Sequence, residues 1–515
     1  MNSETEGRRQ VEAARTFPQF VRATAQAYGD DIAISLRREG SPDQDLSFRQ
    51  VEARSALLAK GLIAQGVGKG TRIGFIFGNG PDFVVTLAAI ARIGAIAVPI
   101  STLIKANELV RVVRQSDVSG LLVQRSLLGH DYVERVCDAI PELTGGGDPD
   151  LRIAAVPYLR WIASSGDGLP GAIRDIGQLI AAANSVSDEL LRAVEAEVHP
   201  TDQMVEIYTS GSMALPKGVK HLHGPVIFRS RYIARMTGRG RGMEVPVTMP
   251  MFWVGGLGLL LLASWESGAT SVCAEATTTN NLSAMGSVLR PEMLEMMESH
   301  KPYWGLGMSE TFGPYSYGDV LRVPEYPLCS PLDHIADGFE VRVVGEGDRE
   351  SADGDVGEIQ VRGYPLAPGL HKVERESYYT ADGYYRTGDL GFREGGRIIF
   401  VGRNGDMIKT NGSNVSPAEV EAEMQQLDRV EAAYVVGLPD PQRGQMVVAA
   451  VVSADEDALD FDRMQVELRG RLSGFKVPRA YVQIRRDEVP MLPSNKVARR
   501  QIEDMLGARL ARPAR

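Results

Sequence analysis

The chain has 515 residues, 43% of them hydrophobic and 24% charged, with a formal net charge of −10. At roughly 100–200 residues per domain this allows two to four domains, each with a core large enough to need no staples. The acidic balance argues against sequence-independent nucleic-acid binding, which relies on basic surface, and an anionic substrate would need local cations against the global field.

The opening "MNSETEGRRQVEAARTFPQF" is polar and charged and has no apolar signal core. From 17 to 130, helical and strand patterns alternate. "SFRQVEARSALLAKGLIAQGV" has apolar residues at helical spacing and ends near Gly66, and "TRIGFIFGN" reads as a buried strand closed by a turn. This βαβ rhythm predicts a largely parallel sheet with helices on its faces. "FVVTLAAIARIGAIAVPI" (83–100) is the most membrane-like run. Arg92, Gly94 and Pro99 interrupt it, and it reads as a buried helix, a glycine turn and a buried strand. Residues 140–200 are looser, with "TGGGDPD" and "SSGDG" as loops, and "QMVEIY" is a strand entering the next segment.

That segment, "YTSGSMALPKGV" (208–219), supplies the hydroxyls of Thr209, Ser210 and Ser212, the backbones of Gly211 and Gly218, and the cation of Lys217. Free backbone N–H groups, small side chains and one cation are what a phosphate needs. It is not a Walker A loop, and neither is "GVGKGT" (66–71), which reads as a surface turn. By itself 208–219 is a phosphate loop or a plain turn. "MPMFWVGGLGLLLLASW" (249–265) follows, where Phe252, Trp253, Gly255 and Gly256 read either as an apolar wall with room behind it or as core packing.

From 338 short alternating strands appear in "FEVRVVGEG", "VGEIQVRGY" and "GRIIFVGR", predicting a β-rich subdomain. From 406 the pattern becomes a compact α+β unit. "SPAEVEAEMQQL" is a helix capped by Ser416 with Pro417 at its first position, "VEAAYVVGLPD" and "MVVAAVVS" are strands, and "DRMQVELRGRL" is a second helix. Cys137, Cys273 and Cys329 lie far apart with no CxxC pair, which fits a reducing cytoplasm. His221 and His223 would share a face on a strand, but no third ligand is near, so zinc is not expected.

Five segments then fall in a telling order: "YTSGSMALPKGVKHLHG", "GLGMSETFGP" (305–314), "YYRTGDLG" (384–391), "VGRNGDMIKTNGSNVSPAEVE" (401–421) and "VPMLPSNKVARR" (489–500). Together they resemble the motifs of the adenylate-forming superfamily, which includes acyl-CoA synthetases, luciferases and peptide-synthetase adenylation domains. The resemblance covers nearly the whole chain and is nearest to fatty-acid–CoA ligase-like AMP-dependent synthetases.

The resemblance implies an α/β fold. A large N-terminal domain (1–402) of βαβ-type sheets carries a β-rich subdomain, a hinge spans 403–405, and a small mobile α+β domain (406–515) bears the catalytic lysine. It implies that a carboxylate attacks the α-phosphate of ATP, pyrophosphate leaves, and a thiol, usually coenzyme A, displaces AMP. Thr209, Ser210, Gly211, Ser212 and Lys217 would wrap the β- and γ-phosphates, and Glu310 would hold Mg²⁺, a hard cation. Ser309 would donate to the α-phosphate. Gly286, Ser287, Leu306 and Gly307 would lie on the adenine side, Asp389 on the ribose hydroxyls, and Arg403 on ribose or phosphate. Lys496 would reach the developing charge between α-phosphate and carboxylate. Gly405, Lys409, Gly412 and Ser413 would serve the hinge and the thiol tunnel. Each residue also has a bland reading: Asp389 as a turn residue, Glu310 as a solvated carboxylate, Lys496 as an ordinary tail lysine. Only the joint pattern favours the site.

The sequence also departs from the family. Met213 and Ala214 stand where the loop usually has threonine and glycine, which removes one donor and predicts weaker ATP binding. Leu306 replaces a tyrosine that usually stacks on adenine. The segment 270–304 is shorter than the family's by a few tens of residues, which bears on the acyl pocket. Amino-acid-activating relatives carry an aspartate where Phe252 and Trp253 stand, because a buried ammonium needs a counter-charge. The expectation is therefore a cytoplasmic acid–CoA ligase for a hydrophobic acid (fatty, aryl or alicyclic). It would use ATP, Mg²⁺ and coenzyme A, with no nucleic acid, no integral membrane segment, and homodimerisation left open. The alternatives are an acyl-AMP ligase passing the acyl group to a separate carrier protein, a kind of relative that often carries an insertion near the hinge where none is obvious here, and a catalytically impaired adenylate-binding homologue.

Overall fold

The run from Phe83 to Ile100 is a buried helix, a glycine turn and a buried strand. A computed structural model describes residues 2–38, 40–145, 147–209, 217–274, 304–318, 331–332, 334–403, 408–415, 417–453, 458–490 and 497–511. In it the helix Pro81–Arg92 starts on a proline, whose missing N–H falls where a helix has no partner for it. Gly94, at φ +71°, turns the chain, and the strand Ile96–Pro99 is buried along its length. Among the described residues no helix is long and apolar enough to cross a membrane.

That strand is third in a seven-stranded sheet ordered Lys217–Leu222, Gln203–Thr209, Ile96–Pro99, Arg72–Ile76, Gly120–Val123, Trp161–Ser164, Ile173–Asp175. From Gln203–Thr209 outward every pair is parallel. Ile73, Phe75 and Ile76 are all fully buried, as expected of a parallel sheet covered on both faces. The helix Phe48–Ala64 begins with a reciprocal cap: the Gln50 N–H donates to Ser47 Oγ at 3.2 Å and the Ser47 N–H to Gln50 Oε1 at 2.9 Å. Residues 66–71 form a turn, with Gly66 and Gly70 at positive φ. The stretch 140–200 holds more structure than its loop-like composition suggests. "WIAS" and "IRD" become sheet strands, followed by helices Ile176–Ala182 and Asp188–Ala196.

A second sheet orders Glu244–Pro246, Thr270–Ala274, Ile32–Arg37 and Gln44–Ser47. A three-stranded sheet holds Trp304–Met308, Gly313–Gly318 and His334–Ile335, and a five-stranded one holds Pro331–Leu332, Arg397–Arg403, Tyr385–Glu394, Gly357–Gly363 and Phe339–Val344. The β-rich texture after 338 is therefore real. Its longest strand, Tyr385–Glu394, coincides with the "TGD" motif, whose glycine and acid hide it from a propensity reading.

The chain divides into two compact units. The first is Met1–Thr102, Val112–Tyr208 and Gly218–Gly402, and the second is Leu103–Arg111, Thr209–Lys217 and Arg403–Arg515. In the second, Val430–Asp440 and Gly444–Ser453 pair antiparallel, and Ala480–Ile484 pairs parallel to the latter. Alternation divides their side chains. Val435, Val447, Ala449 and Val451 pack with Val420, Met424, Met464 and Leu468 of two helices. Val436, Val448, Ala450 and Val452 pack with Ile502 and Leu506 of the last helix. The helix Pro417–Met424 starts as expected, while Ser416, its expected cap, lies outside the described residues.

Candidate functional site

The strand Gln203–Thr209 leads out of the seven-stranded sheet, and Lys217–Leu222 returns beside it at the edge. Thr209 and Lys217, the two ends, are half-buried; Ser210, Gly211, Ser212, Met213 and Ala214 lie outside the described residues. In the exit strand Met204, Val205 and Ile207 are buried as the pattern requires, yet Glu206 is 0% exposed. Its carboxylate accepts from Tyr208 Oη at 2.7 Å, Gln203 Nε2 at 2.9 Å and Arg72 Nε at 3.3 Å. Burial first, and the Glu206 charge second, push the Tyr208 phenol far up, so it stays a donor. His371 joins this group: its Nδ1 lies 3.3 Å from Arg72 and its Nε2 3.1 Å from Asp117 Oδ2. Its backbone N–H donates to Gly218 O at 2.7 Å.

Ser309–Thr311 form one tight turn after the strand Trp304–Met308. Thr311 Oγ1 donates to Gly313 O at 2.6 Å and accepts from the Met308 N–H at 3.1 Å, while Phe312 (φ 49°) and Gly313 (φ 106°) take positive φ. The turn leaves Ser309 and Glu310 half-buried. Glu310 Oε1 accepts from Tyr385 Oη at 2.8 Å, and the Glu310 carbonyl accepts from the Ala367 N–H at 2.8 Å. Tyr385 is 4% exposed, and burial first, then the Glu310 charge, hold its phenol protonated. Leu306 is 4% exposed and packs with Tyr315, Ile359, Tyr379 and Tyr385; Gly307 is exposed.

Asp389 is 3% exposed within Tyr385–Glu394, where the ladder to Gly357–Gly363 slips register. Gly388 takes φ +69°, its N–H donates to Glu358 Oε1 at 3.1 Å, and the Asp389 N–H donates to Thr387 Oγ1 at 2.9 Å. The "TGD" segment is thus a bulge built into a strand, a device that re-aims side chains.

On the acyl side, Phe252 is 2% exposed and meets Trp253 edge-on at 5.3 Å. Gly255–Leu262 is a π-helix, a form that concentrates at functional sites. Gly255 is half-buried and Gly256 buried; a Cβ on Gly256 would stand 2.1 Å from Pro250 O. A Cβ on Gly258 would stand 2.8 Å from the Phe312 ring, so the wall and the Glu310 turn are in direct contact. His221 packs edge-on to Phe312 at 4.8 Å and bonds the Ser309 backbone. His221 and His223 do not share a strand face. His221 lies one residue before the end of the strand Lys217–Leu222, and His223 opens the helix His223–Met236, its Nδ1 accepting from the Phe17 N–H at 3.2 Å. Burial drives both imidazoles down to about 3, so both are neutral. Among the described residues no three His, Cys, Asp or Glu cluster as a metal site. Glu310 alone, with one oxygen held by Tyr385, suits a cation that takes one carboxylate and fills its other positions with phosphate oxygens and water.

In the second unit Lys409 is exposed on Ile408–Thr410, with its N–H on Gln445 Oε1 at 2.7 Å. Asn411 and Gly412 (φ 50° and 75°) form a two-residue hairpin to Ser413, which is 5% exposed. Arg403 ends its strand, its side chain lying outside the described residues together with Gly286, Ser287, Gly405, Lys496 and most of 270–304. The structure thus brings the turn of Ser309 and Glu310 against the π-helix Gly255–Leu262 through Phe312 and Gly258. Sequence reading missed Tyr385, Glu206 and His371. Glu206 does leave a signal, a carboxylate inside an apolar strand; the other two leave none.

A family model described as "AMP-binding enzyme" matches residues 21–302, and "AMP-binding enzyme C-terminal domain" matches 419–496. An indoleacetate–CoA ligase from Aromatoleum aromaticum is 25% identical, over 90% of this chain and 94% of that one. A feruloyl-CoA synthase from an Amycolatopsis species is 26% identical, over 92% and 96%. An amide bond synthetase from Marinactinospora thermotolerans shares the fold at TM-score 0.72 and 22% identity, over 95% and 99% of the two chains.

Proposed function

The chain belongs to the family of AMP-binding enzymes, and from that premise we propose that it ligates a hydrophobic carboxylic acid to coenzyme A at the expense of ATP. One observation carries the reading: a single turn presents Glu310 toward Tyr385 and, two residues on, seats Phe312 against Gly258 of the apolar π-helix. The turn offered here for the phosphate side and the wall offered for the acyl group thereby share the same few residues. The curated relatives, ligases of indoleacetate and ferulate by name, support an aryl or other apolar acid.

In this reading the acid's carboxylate oxygen attacks the α-phosphorus, the bond to pyrophosphate breaks, and an acyl-adenylate forms. The thiol sulfur of coenzyme A then attacks the acyl carbon, and AMP leaves. Such transfers need positioning and charge neutralisation more than covalent help. Lys217 and the hydroxyls of Thr209, Ser210 and Ser212 hold the leaving phosphates, Gly211 leaves room for them, and Ser309 donates to the α-phosphate. Glu310, oriented by Tyr385, would hold Mg²⁺, which would neutralise phosphate charge. Asp389 and Arg403 hold the ribose. Lys496 binds the charge that develops between the two reactants. Residues 1–402 form the adenylation domain and 406–515 the domain that carries Lys496. Lys409, Gly412 and Ser413 serve the thiol step after movement about 403–405.

The test is pyrophosphate release with ATP, Mg²⁺ and a panel of aliphatic, aromatic and alicyclic acids, with and without coenzyme A. Acid-dependent release is expected, falling about 10²–10³-fold in Lys496→Ala, as for loss of one transition-state donor. No release with any acid from a folded, ATP-binding chain overturns the proposal.

A further inference from the structure

Glu206, Tyr208, Arg72, His371, Asp117 and Lys372 form one connected group, and none of them was needed to assign the reaction. Glu206 and Tyr208 alternate onto the same face of the exit strand, so both reach the returning strand. A Cβ on Gly218 would stand 2.7 Å from Glu206 Oε1 and 2.8 Å from Tyr208 Oη. Gly218, first residue after Lys217, therefore lies directly against the carboxylate–phenol pair. From its other side Gly218 is held by the backbone of His371, whose N–H donates to its carbonyl at 2.7 Å.

The protonation of His371 follows from its neighbours. Arg72 can only donate, so Nδ1 accepts; Asp117 can only accept when ionised, so Nε2 carries the hydrogen. Burial lowers the imidazole from its ordinary value, so this neutral tautomer holds at neutral pH. Lys372 Nζ completes the chain on Asp117 Oδ1 at 2.6 Å. Asp117 (φ 52°) and Lys372 (φ 55°) both take left-handed backbone, which only a well-determined surround maintains for a lysine.

We propose that Glu206, His371 and Asp117 act as positioning residues that set the spacing of Tyr208–Thr209 against Lys217–Gly218, the two strand ends that hold the ATP phosphates. The inference rests on the proposed ligation. It differs from a purely structural role because the group joins the two ends to each other. Acid breaks it at one point. A second proton on His371 must enter at Nδ1, facing the Arg72 guanidinium, and displaces that hydrogen bond. Glu206 at 3.7 Å and Asp117 favour the proton, while Arg72 and burial oppose it; Gln203, Tyr208 and Lys372 are the remaining polar neighbours.

The experiment measures KM for ATP, KM for the acid and kcat by acid-dependent ATP–pyrophosphate exchange. Calorimetry on the same proteins gives the dissociation constant for ATP. The proteins are wild type, His371→Ala, His371→Gln and Glu206→Gln. His371→Ala is expected to raise KM and Kd for ATP about tenfold, the loss of one charge-assisted hydrogen bond, with less than about threefold change in kcat. KM for the acid is expected to stay constant. His371→Gln, whose amide can both accept from Arg72 and donate to Asp117, is expected to recover most of the ATP affinity. Wild-type ATP affinity is expected to fall more steeply than that of His371→Gln on acidification below the ordinary imidazole range. Unchanged ATP affinity in His371→Ala, equal rises in both KM values, or no recovery in His371→Gln overturns the proposal. Should His371→Ala not fold, Glu206→Gln, which keeps its shape and loses its charge, is held to the same tenfold expectation. Should wild type show no exchange with any acid, the ligation reading fails, and the calorimetric ATP constants still decide the positioning role.

Discussion

Arg92 and Glu206 are both inside the first unit, 1% and 0% exposed, and both are ion-paired, yet their surroundings differ in kind. Arg92 ends the helix Pro81–Arg92 and makes four hydrogen bonds, to Glu195 Oε1 at 2.6 Å, Glu52 O and Ser55 Oγ at 2.8 Å, and Glu52 Oε1 at 2.9 Å. Glu195 also binds Arg22, so four helices meet on one pair of charges. Glu206 instead binds strand ends and a loop. A cluster enclosed by helices can only hold a scaffold together, whereas one placed at strand ends also sets the distance between them. The same ionic chemistry therefore serves stability in one place and ligand geometry in the other.

Arg92→Met tests the first half of that contrast and carries the largest expected effect. Removing one member of a buried pair leaves the other's charge uncompensated, a loss of about 3–5 kcal/mol in urea unfolding. KM for ATP of the folded fraction is expected to stay unchanged; a rise like that of His371→Ala would erase the distinction between the clusters. Next is Gly256→Ala. Its new methyl would meet the Pro250 carbonyl, which as backbone cannot rotate away, at an expected cost of about 1–3 kcal/mol. This change is expected to alter the preference among acids in the exchange assay and leave ATP affinity alone. A variant that loses ATP affinity instead would place the π-helix on the nucleotide side.

The two dry histidines give a smaller effect with a clear sign. His221 and His223 titrate near 3 in the folded chain and near 6.5 when unfolded. Below pH 6.5 the unfolded chain therefore binds protons that the folded chain does not. Stability falls by about 1.4 kcal/mol per pH unit for each histidine, levelling near pH 3. His221→Phe is expected to remove one of these two shares from a plot of unfolding free energy against pH; an unchanged slope would mean the ring is protonated when folded. The smallest expected effect on stability is that of Tyr385→Phe, about 0.5–1.5 kcal/mol for one hydrogen bond to half-buried Glu310. Its kcat in the exchange assay is expected to fall all the same, because the carboxylate loses its orienting donor. Unaltered kcat would remove Tyr385 from the site.

Much of this was legible before any coordinates. The helical spacing in "SFRQVEARSALLAKGLIAQGV" announces the helix Phe48–Ala64, and Gly94 announces the turn after Arg92. The alternation in "MVVAAVVS" divides into two packed faces because successive strand side chains point opposite ways. The motif residues Ser309 and Glu310 fall on one turn, and the apolar segment 249–265 meets that turn through Gly258 and Phe312. Other features were hidden for physical reasons. The π-helix has no periodicity of its own in a run of glycine and leucine, and the strand through "TGD" is masked by residues that weaken strands elsewhere. Tyr385 and His371 lie tens of residues or more from the groups they bind, so no local pattern reports them.

The sequence alone determined the βαβ alternation before residue 130, the short strands after 338 and the family that the ordered motifs resemble. Each follows from contacts between near neighbours or from residue types at short spacing. Only the tertiary structure decided which carboxylates are buried and what meets them. Glu206 and Glu310 read alike in a line of letters. Beside its chain neighbours Gln203 and Tyr208, long-range folding brings Arg72 to the one, and it brings Tyr385 to the other, because burial and the distant partner are set by strands that meet in space.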